Sequence, residues 1–181
     1  MQEKKGYLIK GQNLALRKLL LTDVNKVYLS WLNDKSIQKY TRRRGQKMTM
    51  LGLKKFVKSI EKSKDWHFAI IIKDSKKHIG NVFLNLVDDL NKSADLSIMI
   101  GDKNEWGKGY AGEVIKLATQ FAFKELKLHR LSAGSPNPAF NTVVKKLGWT
   151  LEGKRRDAFF FERKFIDISC WSILKNEWKN K

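Results

Sequence analysis

Residues 104–123 read NEWGKGYAGEVIKLATQFAF. Three glycines, Gly107, Gly109 and Gly112, fall within six residues and run directly into an amphipathic helical pattern. A helix N-terminus leaves its first backbone N–H groups unpaired and carries partial positive charge from the helix dipole. Glycines let the chain turn tightly there and approach a ligand with no Cβ in the way. The combination is a cradle for a phosphate or pyrophosphate, with Lys108 adding charge at the rim. The same glycines also fit a tight strand-to-helix turn that holds nothing, so the neighbouring segments decide the reading.

Upstream, WHFAIIIK (66–73), HIGNVFLNLV (78–87) and ADLSIMIG (94–101) are β-rich runs separated by polar pieces, and they predict three antiparallel strands. A short alternating strand is expected over 13–18. A helix follows, with Thr22 or Asp23 as its cap and Val24, Val27, Tyr28, Trp31 and Leu32 as its apolar face. The stretch TRRRGQKMT reads as a loop, and 50–63 as a second helix facing inward with Leu51, Leu53, Phe56, Val57 and Ile60. Downstream, LHRLSAG is a strand, PAFNTVVKKL a short helix stopped by Gly148, and 149–160 and 163–173 two closing strands. The order β-α-α-β-β-β-α-β-α-β-β predicts an α+β fold. Its central sheet is mixed but mostly antiparallel, of about seven strands, with helices on its faces.

That order excludes two familiar phosphate motifs. A P-loop needs Lys-Ser or Lys-Thr after its closing glycine, and neither follows Gly109 or Gly112. GKGYAG, residues 107–112, matches the dinucleotide string G-x-G-x-x-G. That fingerprint follows the first strand of a parallel sheet and wants an acidic residue at a strand end further on. Here three antiparallel strands come first, and the acidic residue, Glu125, falls in a helix.

The 181 residues are 42% hydrophobic and fit a single domain, 1–181, with a core over 12–178 and a short basic C-terminal tail. No apolar run approaches the ~18 residues that would span a bilayer. The start, MQEKKGYLIKG, has no apolar signal core, and the one cysteine, Cys170, excludes an internal disulfide framework. A soluble cytoplasmic protein with no membrane partner is expected. The net charge of +19 fits a solvated lysine-rich surface or an anionic partner: a nucleotide-containing cofactor, an acidic substrate or RNA. The clusters Arg42–Arg44 and Lys154–Arg156 lack the aromatic interleaving of a nucleic-acid platform, which makes nucleic acid the less expected partner. No two of His67, His78 and His129 have metal-ligand spacing, so no metal is expected.

The glycine stretch resembles the signature of the GNAT superfamily of acetyl-CoA-dependent N-acetyltransferases. That signature is Gln or Arg, two residues, Gly, one residue, then Gly or Ala, at the start of the central helix. The matching window is Trp106 to Ala111: Gly109 and Ala111 fit, while Trp106 stands where the family has Gln or Arg. The flanking IGDKNEWGKGYAGE is similar to the branch that contains ribosomal-protein N-terminal acetyltransferases and many small-molecule relatives. A second block, NPAFNTVVKKLGWTLEGKRRD, brings Asn137, Lys146, Gly148, Trp149, Glu152, Gly153 and Arg156 into register with the same branch. The ending FIDISCWSILKNEW resembles its final strand, so the likeness covers about residues 13–178.

The resemblance implies acetyl-CoA as co-substrate. Its pyrophosphate would rest on the N–H groups of Gly107, Lys108, Gly109, Tyr110, Ala111 and Gly112, beside Trp106. Its pantetheine arm would pair with the backbone of Ile98 and Ile100, in a gap where that strand splays from the next. An N–H near Ile98 or Met99 would face the developing oxyanion. Asn137 would hydrogen-bond the arm, and Lys146 would meet the 3′-phosphate or serve only as a solvated helix residue. Asp95 lies eleven residues before Trp106, the offset at which some relatives carry a catalytic Glu, and is the candidate base, acting through a water. It is equally placed to end a hairpin. Trp31, Asn33, Tyr40, Arg42 and Asp95 are candidate acceptor-site residues, with Trp31 also at the helical spacing of a core position. The Tyr that many relatives use as acid is replaced by Val144, and a Ser and a Glu of the ribosomal branch by Phe140 and Phe159.

Three functions stay open on the sequence. The favoured one is acetyl transfer to a small primary amine, such as an amino sugar or nucleotide-linked amino sugar. The others are an N-terminal acetyltransferase of a ribosomal protein, and a non-catalytic acyl-CoA-binding or RNA-binding module. Dimers are common in the superfamily, which makes a homodimer an expectation too.

Overall fold

The computed structural model describes residues 8–178; the basic tail after Trp178 lies outside the described residues. Eight strands form one sheet: β1 (Ile9–Lys10), β2 (Leu14–Lys18), β3 (Trp66–Ile72), β4 (His78–Asp88), β5 (Ser93–Ile100), β6 (Arg130–Ser135), β7 (Thr150–Phe161) and β8 (Lys164–Leu174). Their order is β1-β2-β3-β4-β5-β6-β8-β7. Neighbours are antiparallel except β5 and β6, which are parallel. The sheet is therefore the mixed, mostly antiparallel one expected, with one strand more than seven: the two-residue β1 escapes a periodicity search because it is shorter than any alternation. The helices are α1 (Lys26–Asn33), α2 (Lys35–Gln38), α3 (Met50–Ile60), α4 (Tyr110–Lys124) and α5 (Pro138–Lys146). None of the described helices is long and apolar enough to cross a membrane.

α4 lies on one face of the sheet. Its Val114, Ile115, Ala118, Phe121 and Ala122 recur at helical spacing and pack with Leu14, Phe68, Val82, Leu84, Leu96 and Leu131 in the main core. Glu113, in its first turn, accepts hydrogen bonds from the N–H groups of Asn13 and Leu14, both at 2.9 Å, and so fixes the helix start against β2. α1 and α3 cover the opposite face over β2–β4, where Tyr28, Trp31, Leu53, Val57, Ala69 and Ile71 form a second core.

The first helix starts later than expected. Thr22 and Asp23 lie in a 3-10 turn, and Asn25 caps α1 by accepting from Tyr28 N–H. Asp23 turns back to clamp Arg17 through both guanidinium nitrogens, at 2.7 and 2.6 Å, which ends its eligibility as a cap. Val27, expected on the apolar face, is exposed.

β5 and β6 are paired only over Ser93–Asp95 and Arg130–Ser132. Beyond Asp95 and Ser132 the two strands part, as the resemblance implied. β4 carries a bulge at the same level, between Asn85 and Asp88, with Leu86 at φ +53°. Bulges bend and re-aim strands near such openings.

Candidate active site

The loop from Lys103 to Gly109 joins β5 to α4. Gly107 and Gly109 both have φ +80°, the left-handed region that L side chains avoid. A Cβ at either position meets nothing within 4 Å, so it is the backbone angle and not crowding that calls for glycine. No side chain caps α4. Among the described residues, the N–H groups of 107–111 have no hydrogen-bond acceptor. Gly112 differs from the expectation: it is already inside the helix, and its N–H bonds to Gly109 O at 3.0 Å. Lys108 does not stand free at the rim either. Its ammonium pairs with Glu105 at 2.7 Å, and Lys77 reaches the same carboxylate at 3.5 Å.

Trp106 takes the place of the family's Gln or Arg in a defined way. Its indole N–H donates to the carbonyl of Ile100 at 2.9 Å, tying the loop to the end of β5. The β5 ladder shows which groups remain. Gly101 N–H bonds to Ile79 O, and with the register Asn81↔Met99 this directs the N–H and C=O of Met99 toward β4. Alternation then points those of Ile98 and Ile100 into the gap. Met99 is therefore not a donor to the gap; its side chain faces the second core and takes a contact from Gln38 Nε2 at 3.8 Å. Asn137 caps α5, its Oδ1 accepting from Ala139 N–H at 3.0 Å while its amide nitrogen has no protein partner among the described residues. Lys146 is exposed at the other end of α5.

Asp95 stands where β5 and β6 part, half-buried and facing away from α4. Burial pushes its carboxyl above the ordinary value, and the guanidinium charges of Arg42 and Arg155 pull it partly back. Asn85, its neighbour on β4, donates to Ser97 Oγ at 3.0 Å on the same face. The wall over this face comes from two segments. Arg44 lies 3.7 Å from the ring centroid of Phe159 and donates to Phe160 O, while Tyr40 packs on Phe161 at 5.4 Å. The loop after α2 is thereby locked to the β7–β8 hairpin, and Arg42 is carried between them.

Two candidate acceptor residues fall elsewhere. Trp31 is 6% exposed, in the second core, with its ring filling the space beside Gly101. Asn33 uses its whole amide on backbone: Oδ1 accepts from Met48 N–H at 2.9 Å, and Nδ2 donates to Met48 O and Leu29 O at 3.0 and 3.1 Å. Arg42 acts on the Asp95 carboxyl, while Tyr40 is engaged in the contact of its loop with Phe161. Val144 is fully buried, so no acid can act from there. Thr142 donates to Pro138 O at 2.9 Å, and Asn141 Oδ1 accepts from Trp171 Nε1 at 3.0 Å. Arg155, seen in the sequence only as part of a basic run, lays its guanidinium beside Gly134 and acts on Asp95, a cross-strand contact that no local pattern announces. Among the described residues no group of three or more His, Cys, Asp or Glu is placed to hold a metal ion.

A family model for the acetyltransferase (GNAT) domain matches residues 13–150. The chain is 28% identical over 174 residues to the N-acetyltransferase p20 of Bacillus licheniformis, covering 92% of this chain and 96% of that one. It is 28% identical over 114 residues to spermidine N(1)-acetyltransferase of Vibrio cholerae, 61% of this chain and 65% of that protein. The fold matches the crystal structure of spermidine N-acetyltransferase from Vibrio cholerae in complex with CoA and spermine, with a TM-score of 0.84. That match has 23% identity and covers 92% of this chain and 98% of the other. With its sheet order, its glycine loop before α4 and a family match over most of its length, the chain belongs to the GNAT acetyltransferase family and is an N-acetyltransferase.

Proposed function

We propose that the protein transfers the acetyl group of acetyl-CoA to the primary amine of a small molecule, such as an amino sugar or nucleotide-linked amino sugar, by direct attack in a ternary complex. The observation that carries this reading is the gap that opens at Asp95 and runs along the backbone of Ile98 and the N–H of Ile100, whose carbonyl is held by Trp106, toward the Gly107–Gly109 loop. The likeness to a spermidine N(1)-acetyltransferase supports a small amine as acceptor. The continuous sheet from Ile9 to Leu174 supports a single acyl-CoA N-acyltransferase domain over 12–178. The lone Cys170 fits a cytoplasmic setting.

In this reading the N–H groups of 107–111 hold the pyrophosphate, and Ile98, Ile100 and the Asn137 amide nitrogen hold the pantetheine arm. Lys146, exposed at the end of α5, meets the 3′-phosphate. Asp95, through a water, takes the proton that makes the ammonium a nucleophile. The amine nitrogen attacks the thioester carbonyl, with Ile98 N–H facing the oxyanion; the C–N bond forms and the C–S bond breaks. The attacking nitrogen gives its second proton to water and the thiolate takes one from water, consistent with Val144 in place of a tyrosine and with the engaged side chains of Thr142 and Asn141. Positioning of two bound reactants carries much of the rate, and the base adds about 10²–10⁴-fold.

A thiol-release assay with acetyl-CoA over a panel of small amines tests the reading. Amine-dependent release of CoA supports it. No release with any small amine, together with altered ribosomal-protein masses in a deletion strain, moves the assignment to a protein N-terminus. Binding of acetyl-CoA without turnover on either class leaves a non-catalytic module.

A further inference from the structure

Asp95 and Ser132 are register partners, and Gly134 lies two residues further along β6, so all three present to the face opposite α4. The space at Gly134 is filled from outside its strand. A Cβ there would lie 2.8 Å from Nη2 of Arg155, so glycine leaves the berth in which that guanidinium lies. Arg155 is the last regularly paired residue of β7 before a register break, and pairing with β8 resumes at Phe159, so its side chain reaches β6 from two strands away. Arg42 comes from the loop after α2, which Arg44 and Tyr40 hold to the hairpin.

Both guanidiniums act on Asp95, yet neither makes an ion pair with it, and neither has a hydrogen-bond partner among the described residues. Several other arginines of the protein are tied down. Arg17 is clamped by Asp23, Arg130 by Glu152 and Arg44 by Phe160 O. Two unpartnered cations, one from the loop after α2 and one from the β7–β8 hairpin, thus act on one carboxylate.

Resting on the transferase reading above, we propose that the acceptor is an amine that also carries an oxyanion group, phosphate or carboxylate, which Arg42 and Arg155 bind while Asp95 receives the ammonium. Guanidinium forks match the geometry of both oxyanions. A polyamine such as spermidine would set its further positive charges against the same two arginines, in a protein whose net charge is already +19.

The test is a matched panel on the wild-type protein: glucosamine, glucosamine 6-phosphate, an amino acid with a primary side-chain amine, its decarboxylated diamine, and spermidine. The expected result is a kcat/KM at least about tenfold higher for the oxyanion-bearing member of each pair. The phosphate and carboxylate arms separate the two sources of charge. Arg155→Gln and Arg42→Gln are each expected to shrink that ratio toward unity, chiefly through the acceptor KM. Arg42→Lys, which keeps the charge, is expected to retain part of it. Preference for spermidine or the neutral amines, or a ratio that survives both glutamine variants, overturns the proposal. If no amine is acetylated, the reaction assignment fails. Calorimetric binding of glucosamine 6-phosphate and of glucosamine to the CoA-loaded protein then decides this inference, and equal affinity for the two sinks it.

Discussion

Asp95 and Ser132 form the last residue pair between β5 and β6, and every acetyl-transfer role proposed for β5 follows from the strands parting there. Residues 96–100 keep their antiparallel bonds to β4 on one side and have no strand on the other. A carboxylate at the fork and free backbone beyond it put a proton acceptor and a set of amide groups along one opening.

Asp95→Asn is expected to lower kcat about 10²–10⁴-fold, the range for loss of a general base, with little change in the KM for acetyl-CoA. The base must be ionised to act. Burial raises its pKa above 3.8, so the acid limb of kcat/KM is expected above that value. Removing a neighbouring cation with Arg155→Gln disfavours the ionised form further and shifts the limb to higher pH. Initial rates across a pH series read both effects.

Gly109→Ala and Gly112→Ala are expected to differ, although both are glycines of one motif. At Gly109, φ +80° is unfavourable for alanine by about 1–2 kcal/mol, and relaxation of the loop misdirects the N–H groups. A rise in the KM for acetyl-CoA of about tenfold corresponds to that energy. At Gly112 an added Cβ comes no closer than 3.9 Å to Val143, an ordinary contact inside a helix. That change is expected to leave the KM near wild type and to raise stability by about 0.4–1 kcal/mol. Acetyl-CoA titrations and thermal melts of the two variants give the comparison.

Gly101→Ala is expected to destabilise the fold by about 1–3 kcal/mol, the usual range for overpacking. Its Cβ would lie 2.2 Å from Cδ2 of the buried Trp31. Adding Trp31→Leu is expected to recover part of the loss, because the two changes share one contact. Denaturant unfolding of the single and double variants measures the coupling; strict additivity would contradict it.

Asp23→Ala is expected to cost about 3 kcal/mol, since it leaves the largely buried Arg17 without its partner. Burial alone would raise the Asp23 pKa. The Arg17 guanidinium and the Leu20 N–H overcome it and leave the group below its ordinary value. A depressed carboxyl contributes stability above the unfolded value of 3.8 and loses it as pH falls through the folded value. The gap between wild type and variant is therefore expected to be full at pH 7 and to narrow below about pH 4. Urea melts at several pH values check the sign.

Local patterns in the sequence carried most of the fold. Alternation in 66–72 and 78–87, the helical face of α4 and the stop at Gly148 each depend on neighbours along the chain, and each appears close to where it was expected. The glycine loop was legible for the same reason, because positive φ before a helix leaves a mark in residue type. The pairing of distant segments left no such mark. Trp31 read as pocket or core, and Asn33 as pocket, until Gly101 and the Met48 backbone were seen to occupy them. Arg155 was one of three adjacent cations until its guanidinium was seen against the bare side of Gly134. The sequence by itself determined the order of elements, the acetyltransferase family and the place of the glycine cradle, since these rest on short-range periodicity and backbone angles. Only the tertiary structure decided which side chains gather around Asp95, because that depends on where two strands part and which segments close over the opening.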